Sequence, residues 1–327
     1  MTTVTAAIIE KDHLILAARR GPGKDLAGHW EFPGGKVEAG ESHEACLARE
    51  LQEEFAIKAD VGSLFGESIY TRSETPIRLV AYHVRHLSGD FLLTDHDLIK
   101  WATDDELASL TWATADIPLV QKLLAERRNV STLSFYDHQA APYFEETHAI
   151  DLTTNLEKFT AHLPEGAHIL DLGCGAGRDS LYFIRHGYRV TAVDASEALA
   201  RLATRHIGQV VHVMTFLDID VQDGYDAIWA NASLLHCTAY EIKTLVPRLV
   251  TALKPGGIWY VSLKYGHGEG YDARGRYFNY YTRRDLRTLV GKSPLYVVDI
   301  WEETKPLRGQ DQTWLNALLR GESKAHE

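Results

Sequence analysis

The feature that most constrains this chain is a row of carboxylates within residues 35–57, GKVEAGESHEACLARELQEEFAI. If residues 45–54 form a helix, Glu50, Glu53 and Glu54 lie at i, i+3 and i+4 and share one helix face. Three like charges on one face repel each other. The segment therefore predicts a helix whose acidic face is screened either by water or by a bound cation.

The residue types alone leave both explanations open. An isolated E-x-x-E-E pattern is most often a solvated acidic face. A set of ligands that contains only oxygen, at this density, also suits a hard divalent ion such as Mg2+ or Mn2+. The residues on either side of the row favour the cation.

Eight positions of this segment match the Nudix box, G-x5-E-x7-R-E-U-x-E-E-x-G-U, in which U is aliphatic. They are Gly35, Glu41, Arg49, Glu50, Leu51, Glu53, Glu54 and Ile57. The segment therefore resembles the Nudix hydrolases. Ala56 is the one departure, since the family has a glycine there that ends the helix in a left-handed conformation. Alanine at such a position costs about 1 kcal/mol and removes no ligand.

Residues 3–127 as a whole resemble the small MutT-like Nudix hydrolases that act on pyrimidine and oxidised nucleoside triphosphates. EFPGGK at 31–36, Arg20 and ADIP at 115–118 carry this wider resemblance. It implies an α/β/α sandwich with a mixed sheet, and hydrolysis of a (d)NTP to a monophosphate and pyrophosphate with Mg2+ or Mn2+. A divalent ion lowers the pKa of bound water and stabilises charge on a leaving group.

The resemblance also implies a catalytic and metal-binding set. Its members are the backbone carbonyl of Gly34 and the side chains of Glu50, Glu53, Glu54 and Asp95, with Arg49 holding the helix carboxylates in place. Asp97 competes with Asp95 for the role of the later acid, and a plain loop carboxylate remains an equal alternative for Asp95.

Three further residues are implied as substrate ligands, namely Arg20, Glu31 and Asp116. Arg20 would hold a phosphate, and Asp116 would contact the edge of the base. An ionised aspartate only accepts hydrogen bonds and so favours an amino group or a protonated ring edge. Asp116 also fits a helix N-cap before Pro118, and one residue can serve both roles.

The polar segment RRNVSTLS at 127–134 predicts a domain boundary. We expect a first domain at 1–128, a linker at 129–134 and a second domain at 135–327. The second domain begins with two helical stretches that end near Pro164–Gly166, and a buried strand, HILDLG, follows them.

That strand leads into a glycine turn, GCGAGRD, in which Gly173, Gly175 and Gly177 would let a ligand approach the backbone. Asp171 just before the turn opposes a pyrophosphate and favours an ammonium group. Asp194 ends the next strand, where a ribose partner is usual. Together with the G-x-G-x-G spacing, these carboxylates favour S-adenosylmethionine (SAM) over a dinucleotide.

Residues 135–327 resemble the class I SAM-dependent methyltransferases, in particular the tellurite-resistance-like branch that acts on small molecules. DLGCGAGRDS, VTAVDAS, YDAIWANASLLH and LKPGG carry the resemblance. It implies an α/β Rossmann-like fold with a seven-stranded, mostly parallel sheet and a final antiparallel hairpin near PLYVVDIWEE and TWLNALLR.

The resemblance places cofactor contacts at Asp171, Gly173, Gly175, Gly177, Asp194, Asp218 and Asn231. A solvated loop remains an equal interpretation of Asp218. His236, Lys264, Tyr265 and Arg276 lie past strands four and five, at the sheet edge where ligands bind in such folds. Lys264 and Arg276 indicate an anionic methyl acceptor, although a structural role is the commoner one for each of the four.

Composition narrows the setting. The chain has 327 residues and a net charge of −11, which argues against broad binding to nucleic acid or anionic membranes. Cys46, Cys174 and Cys237 are too few and too scattered for a disulfide framework. No apolar run reaches membrane-spanning length, so we expect a cytoplasmic protein.

The leading hypothesis is a bifunctional enzyme, a nucleoside triphosphate pyrophosphohydrolase joined to a methyltransferase that acts on a small molecule. One alternative is that only one half is catalytic and the other is a nucleotide- or SAM-binding regulatory module. In another, the methyltransferase modifies a nucleotide that the first half releases. Modification of nucleic-acid bases is the remaining class, and the net acidity counts against it.

Overall fold

A computed structural model shows two compact units, Met1–Leu124 and Ala125–Glu327. The structure describes residues 1–71, 76–307 and 310–323. Each unit has its own sheet and its own clusters of buried apolar side chains.

The first unit is built on one mixed sheet. Its strands are β1 (Thr2–Lys11), β2 (Leu14–Arg20), β3 (Trp30–Glu31), β4 (Lys58–Tyr70), β5 (Ile77–Ser88) and β6 (His96–Ala102). Its helices are α1 (His43–Phe55), α2 (Asp104–Ser109) and the start of α3 (Ile117–His138). The strand order is β3-β2-β1-β5-β4, and β6 pairs with β2. Among these strands, β1 and β5 run parallel to each other, and the pairs β1–β2, β2–β3, β2–β6 and β4–β5 run antiparallel.

Strict alternation along β1 explains the layers of this unit. Ala6 and Ile8 belong to a buried cluster with residues of α2 and α3, such as Leu107 and Leu119. Ala7 and Ile9 belong to a second cluster with Leu47, Leu51 and Phe55 of α1. Because successive side chains point to opposite faces of a sheet, one strand supports helices on both sides. The predicted α/β/α sandwich is thereby confirmed.

The second unit is built on a seven-stranded sheet in the order β14-β15-β11-β10-β7-β8-β9. The strands are β7 (His168–Leu172), β8 (Arg189–Asp194), β9 (Val211–Val213), β10 (Tyr225–Asn231), β11 (Leu253–Lys264), β14 (Leu295–Leu307) and β15 (Gln310–Gly321), and a small hairpin has β12 (Glu269–Tyr271) and β13 (Tyr277–Asn279). The helices that follow α3 are α4 (Ala140–Thr147), α5 (Thr153–Thr160), α6 (Arg178–Arg185), α7 (Glu197–Ile207), α8 (Ala239–Ala252) and α9 (Arg283–Val290).

Alternation also sets the layers of the second unit. Ala227 and Trp229 of β10 lie in a buried cluster with Phe159 of α5 and Phe183 of α6. Ile228 and Ala230 face the opposite cluster, which contains side chains of α8 and α9. β15 is antiparallel to β11 and forms a hairpin with β14. The predicted Rossmann-like sheet with a final antiparallel hairpin is confirmed.

The segment predicted as the linker is helical. Residues 129–134 lie inside helix α3. Their polar side chains have partners in the second unit: Asn129 donates to Glu241, and the hydroxyl of Thr132 accepts the Tyr277 N–H at 3.0 Å. A polar face without apolar period can be helical when tertiary hydrogen bonds satisfy it. The domain bounds 1–128 and 135–327 stay a prediction.

Within the described ranges, no helix is both long enough and apolar enough to span a membrane. The cytoplasmic location stays a prediction.

Candidate active sites

Helix α1 carries the acidic row along the border of its buried face, since the side chains of Glu50 and Glu54 are only 13 % and 20 % exposed and that of Glu53 is 59 % exposed. Ser42 caps the helix, since its hydroxyl accepts the Ala45 N–H at 3.2 Å. Ala56 ends the helix at φ 56° and ψ 25°, the left-handed conformation that the sequence predicted for this position.

Arg49 binds three carboxylates of this segment. Its Nη1 donates to Glu50 and to Glu53 at 3.0 Å each, while Nε and Nη2 donate to Glu41 at 2.9 and 3.0 Å. The hydrogen bond from Arg49 lowers the pKa of Glu41. The guanidinium thereby neutralises a part of the row and fixes its geometry.

Two glycines lie in the segment between β3 and α1, where the backbone passes close to other groups. A Cβ at Gly35 would come within 2.1 Å of the Glu50 carboxyl carbon. A Cβ at Gly34 would come within 2.0 Å of the Thr5 carbonyl oxygen. At Gly34 the neighbouring atoms are backbone, so only glycine fits there, whereas a side chain at Gly35 would displace the Glu50 carboxylate.

Glu54 lies on the far side of the row from Arg49. Burial raises its pKa to about 7; His96 opposes that rise, and the charges of Asp95, Glu50 and Glu31 add to it. Asp95, rather than Asp97, acts on Glu54, because Asp97 pairs with Arg19 at 2.7 Å instead. Asp95 itself pairs with Lys24 at 2.5 Å, which lowers its pKa.

The donor chemistry of this cluster fits a hard divalent cation. Four carboxylates act on one another around Glu54, and a cation would relieve that repulsion. In residues 1–71, 76–307 and 310–323, no three His, Cys, Asp or Glu side chains converge closely enough to hold a metal ion as they stand. Glu53 pairs with Arg49, and its side chain is 59 % exposed. Asp95 pairs with Lys24.

The predicted substrate ligands Arg20 and Glu31 are joined to each other and to a residue that the sequence did not single out. Arg20 Nη1 donates to Glu31 Oε2, and His96 Nε2 lies 2.8 Å from Glu31 Oε1. His96 also lies 3.7 Å from Glu54 through Nδ1. The only sequence signal for His96 is its place beside Asp95 at the start of β6.

Asp116 is 4 % exposed and reaches back to the EFPGGK segment. Its Oδ1 accepts the Phe32 N–H at 3.0 Å, and its backbone carbonyl accepts the first hydrogen bond of α3, from Val120. The residue is therefore at the N-cap position, and its side chain accepts a hydrogen bond from the Phe32 backbone. Burial raises the pKa of Asp116 to about 8.

In the second unit, the three glycines of the turn have positive φ angles of 77°, 55° and 76°. Gly177 is also required by packing, because a Cβ there would come within 2.7 Å of Ile207. The N–H of Gly175 donates to Asp194 Oδ2 at 2.8 Å, and Ser196 N–H donates to Asp194 Oδ1 at 2.9 Å. Burial raises the pKa of Asp194.

Asp171 and Asp179 form a buried acidic pair below the turn. Burial and the charge of Asp179 raise the pKa of Asp171, which accepts a hydrogen bond from Ser180 at 2.6 Å. Burial works against the charge of Asp179 too, but Arg178 donates to both of its oxygens at 2.6 and 3.0 Å and outweighs it, so its pKa is lowered.

Asn231 is oriented by this pair. Its amide nitrogen donates to Asp179 Oδ2 at 3.0 Å, alongside Trp229 Nε1 at 2.8 Å. The amide oxygen of Asn231 therefore points away from Asp179, at the carboxyl end of β10. Asp218, in contrast, is exposed, and its carboxylate accepts hydrogen bonds from Thr215 N–H and Oγ1 at 2.7 and 2.8 Å.

The four predicted acceptor-site residues have clear local contacts. His236 Nδ1 donates to the Tyr277 carbonyl at 2.7 Å and Nε2 accepts from the Tyr136 hydroxyl at 2.8 Å. Burial lowers the pKa of His236 to about 4. Arg276 is 9 % exposed and donates to Asp272, which neutralises it.

Lys264 and Tyr265 are closer to solvent. Lys264 Nζ lies 3.4 Å from the ring centroid of Phe278, a cation–π contact. Tyr265 is 39 % exposed. The sequence did not predict a role for Tyr136, because no motif surrounds it. Its OH, which contacts His236, also lies 3.5 Å from Arg276 Nη1.

Comparison with known proteins decides the family of the first unit. The profile of the NUDIX domain matches residues 1–132. The CTP pyrophosphohydrolase of Escherichia coli (strain K12) is 42 % identical over 127 residues, which are 39 % of this chain and 94 % of that protein. The chain belongs to the NUDIX family. Its first unit is a Nudix hydrolase domain, as the carboxylate row and EFPGGK predicted.

This Nudix protein also contains a SAM-dependent methyltransferase domain. The profile described as a methyltransferase domain matches residues 169–257. The trans-aconitate 2-methyltransferase of Delftia acidovorans is 31 % identical over 102 residues, 29 % of this chain and 37 % of that protein.

One solved structure shares the fold of the second part. It is the Burkholderia thailandensis 1,6-didemethyltoxoflavin-N1-methyltransferase with bound S-adenosylhomocysteine, with a TM-score of 0.52 and 22 % identity, covering 61 % of this chain and 91 % of that one. The predicted fusion of a Nudix hydrolase to a SAM-dependent methyltransferase is confirmed.

Proposed function

We propose that the Nudix domain hydrolyses (d)NTPs to monophosphates and pyrophosphate with a divalent cation, Mg2+ or Mn2+. The observation that carries the proposal is the crowding of Glu31, Glu50 and Asp95 around the half-buried Glu54. Glu50, Glu53, Glu54, Asp95 and the carbonyl of Gly34 would hold the cation, which supplies charge neutralisation of the triphosphate and an acidified water. These ligand assignments are our proposal.

The other residues of the site orient and bind. Arg49 keeps Glu50 and Glu53 on one side of the helix through a single nitrogen. Arg20 is our proposed phosphate ligand, and Glu31 holds its guanidinium in place before substrate arrives. Ordering these side chains in advance lowers the cost of aligning the triphosphate.

Asp116 is the proposed reader of the base. Since its pKa is raised to about 8, the carboxyl group is mostly protonated at neutral pH and offers one O–H donor beside one acceptor. Cytosine presents an amino donor next to a ring acceptor, which is the complementary pair. An oxidised purine offers a comparable pair on its ring edge. The name of the Escherichia coli relative, CTP pyrophosphohydrolase, agrees with this choice.

For the second domain we propose methyl transfer from SAM to a small-molecule acceptor. SAM supplies an electrophilic methyl group. Asp194 would hold the ribose hydroxyls, Asp171 the ammonium end, and the three glycines let the methionine approach the backbone. Asn231, oriented by Asp179, would border the transferred methyl. Methyl transfer needs mainly alignment and exclusion of water, and both nitrogens of His236 are already engaged.

The acceptor is proposed to be anionic. Lys264, whose ammonium lies over the ring of Phe278, is the cation we assign to it. Arg276 donates to Asp272 and would position the neighbouring aromatic side chains. The name of the Delftia relative, trans-aconitate 2-methyltransferase, fits a carboxylate acceptor.

One experiment tests both activities. The full chain is incubated with a pooled nucleotide panel, Mg2+ and methyl-labelled SAM, and the products are analysed by mass spectrometry. Loss of triphosphates together with label on a nucleotide would place both halves in one reaction sequence. Hydrolysis without label would leave the acceptor among small anions, including carboxylates and metalloid oxyanions. Triphosphates that stay intact with Mg2+ and with Mn2+ would refute the hydrolase proposal.

A further inference from the structure

His96 is buried between two carboxylates of the Nudix domain. Its side chain is 3 % exposed, with Nε2 2.8 Å from Glu31 Oε1 and Nδ1 3.7 Å from Glu54 Oε2. The imidazole stacks on Phe55 of α1, with ring centroids 4.8 Å apart and planes at 29°. Nδ1 makes no hydrogen bond with any residue that the structure describes.

An irregularity in the sheet turns His96 inward. On the β2–β6 ladder, Arg19 is opposite Leu98 but Arg20 is opposite His96, so Asp97 is an extra residue in β6. Residues two apart on a regular strand face the same side. As whole residues, however, Leu98 is 43 % exposed and His96 is 7 % exposed. A β-bulge re-aims side chains in this way, and bulges are frequent next to active sites.

The register at this end of β6 is fixed by a close backbone contact. The Gly21 N–H donates to the Asp95 carbonyl at 3.1 Å. A Cβ at Gly21 would come within 2.9 Å of the same oxygen. The bulge and the glycine therefore hold His96 at one position rather than leaving it on a mobile loop.

A buried ring nitrogen without a partner costs about 1–3 kcal/mol. The Glu54 carboxylate is close enough to Nδ1 that a movement of about 1 Å would make a hydrogen bond. On its other side the ring is already tied to Glu31, which in turn holds Arg20. One rigid imidazole thus connects a proposed cation ligand to a proposed phosphate ligand.

We propose that His96 is a positioning residue of the hydrolase, which holds Glu54 for the cation through Nδ1 and Glu31 with Arg20 for the triphosphate through Nε2. The inference rests on the proposed function of this domain. It assigns no contact between His96 and the substrate. Partners that orient metal ligands usually change metal affinity or activity by about 10–100-fold when removed.

Three substitutions separate the two contacts. His96→Phe keeps the stack on Phe55 and removes both nitrogens. His96→Asn places an amide nitrogen near the position of Nδ1, and His96→Gln places one near Nε2. His83→Phe is the matched control, because His83 is an exposed histidine of β5 whose ring meets that of Phe65 edge-on, with the centroids 5.2 Å apart.

The first readout is Mn2+ affinity of the nucleotide-free full chain, measured by electron paramagnetic resonance. We expect His96→Phe and His96→Gln to weaken Mn2+ binding by about 10–100-fold, while His96→Asn and His83→Phe stay close to wild type. The second readout is the split between kcat and KM. We expect His96→Asn mainly to raise KM for the triphosphate, because Glu31 and Arg20 lose their support.

Circular dichroism and thermal unfolding establish that each variant is folded. If all three His96 variants bind Mn2+ as wild type does and keep kcat/KM, the inference is overturned, and His96 is a packing residue. A wild-type chain that binds Mn2+ but hydrolyses no triphosphate would refute the proposed function and leave the Mn2+ comparison to judge His96. A wild-type chain that binds no Mn2+ would overturn the inference together with the cation site.

Discussion

The buried carboxyl group of Asp116 makes the stability of the Nudix domain depend on pH. Asp116 is 4 % exposed, with Oδ1 bonded to the Phe32 N–H at 3.0 Å, and burial raises its pKa from 3.8 to about 8. The folded state then keeps a proton that the unfolded chain releases above its ordinary pKa. The contribution of Asp116 to stability is fully present below that ordinary pKa. It is lost as the pH rises through the pKa that Asp116 has in the folded state.

Each pH unit inside this window costs about 1.4 kcal/mol. Asp116→Asn keeps the shape and the acceptor for Phe32 but has no proton to lose. We therefore expect the free energy of unfolding of the variant, relative to that of the wild type, to increase by about 2.7 kcal/mol from roughly pH 5.5 to roughly pH 7.5. In a domain of this size that corresponds to a change of about 10 °C in the difference between the two Tm values.

Differential scanning calorimetry of the full-length wild type and variant, at several pH values, measures this difference in Tm. The transition to compare is the one whose Tm changes with the substitution. Asp60→Asn is the control, because Asp60 is exposed on β4 and paired with Arg85 at the surface; its effect should stay below about 1 kcal/mol without a pH trend. A constant difference between Asp116→Asn and wild type over this pH range would refute the argument, since it would mean that Asp116 ionises like an exposed carboxyl group.

Three further outcomes follow from local geometry. Ala56→Gly should stabilise the chain by about 1 kcal/mol, because Ala56 is in the left-handed region; unchanged chemical denaturation would contradict this. Glu53→Gln should lower pyrophosphate release by about 100-fold or more and leave SAM affinity by calorimetry unchanged; loss of both would contradict independent sites. Asp179→Asn should destabilise the chain by about 3 kcal/mol in urea unfolding, because Arg178 loses its buried partner, and a loss below about 1 kcal/mol would show that the pair is not needed.

The two domains differ in how far their chemistry follows from short patterns. In the Nudix domain, most of the proposed cation ligands lie on one helix and in the segment before it, so a single stretch of sequence predicts them. In the methyltransferase domain, the glycine turn and Asp194 are equally recognisable, but the proposed acceptor site draws on α3, β11 and the segment that contains β12 and β13. No short pattern joins those elements, so Tyr136 was not anticipated.

Local spacing determined much of this protein. The positions of Glu50, Glu53 and Glu54 follow from the helical period, the left-handed end of α1 from the position of Ala56 in the pattern, and the three glycine conformations from the turn. The layers of both sheets follow from alternation along β1 and β10. These features depend on residues near each other in the chain, where backbone geometry alone fixes which side chains meet.

Tertiary structure decided what depends on distant residues. Asp116 meets Phe32 across 84 positions and His96 meets Glu31 across 65. The inward aim of His96 needs a bulge in β6 that shifts its register against β2. Residues 129–134 are helical, and the polar side chains of Asn129 and Thr132 form hydrogen bonds with Glu241 and with the Tyr277 N–H. Burial raised the pKa values of Asp116 and Glu54. Spacing along the chain carries no record of these effects, because burial and register exist only once the sheets and helices have assembled.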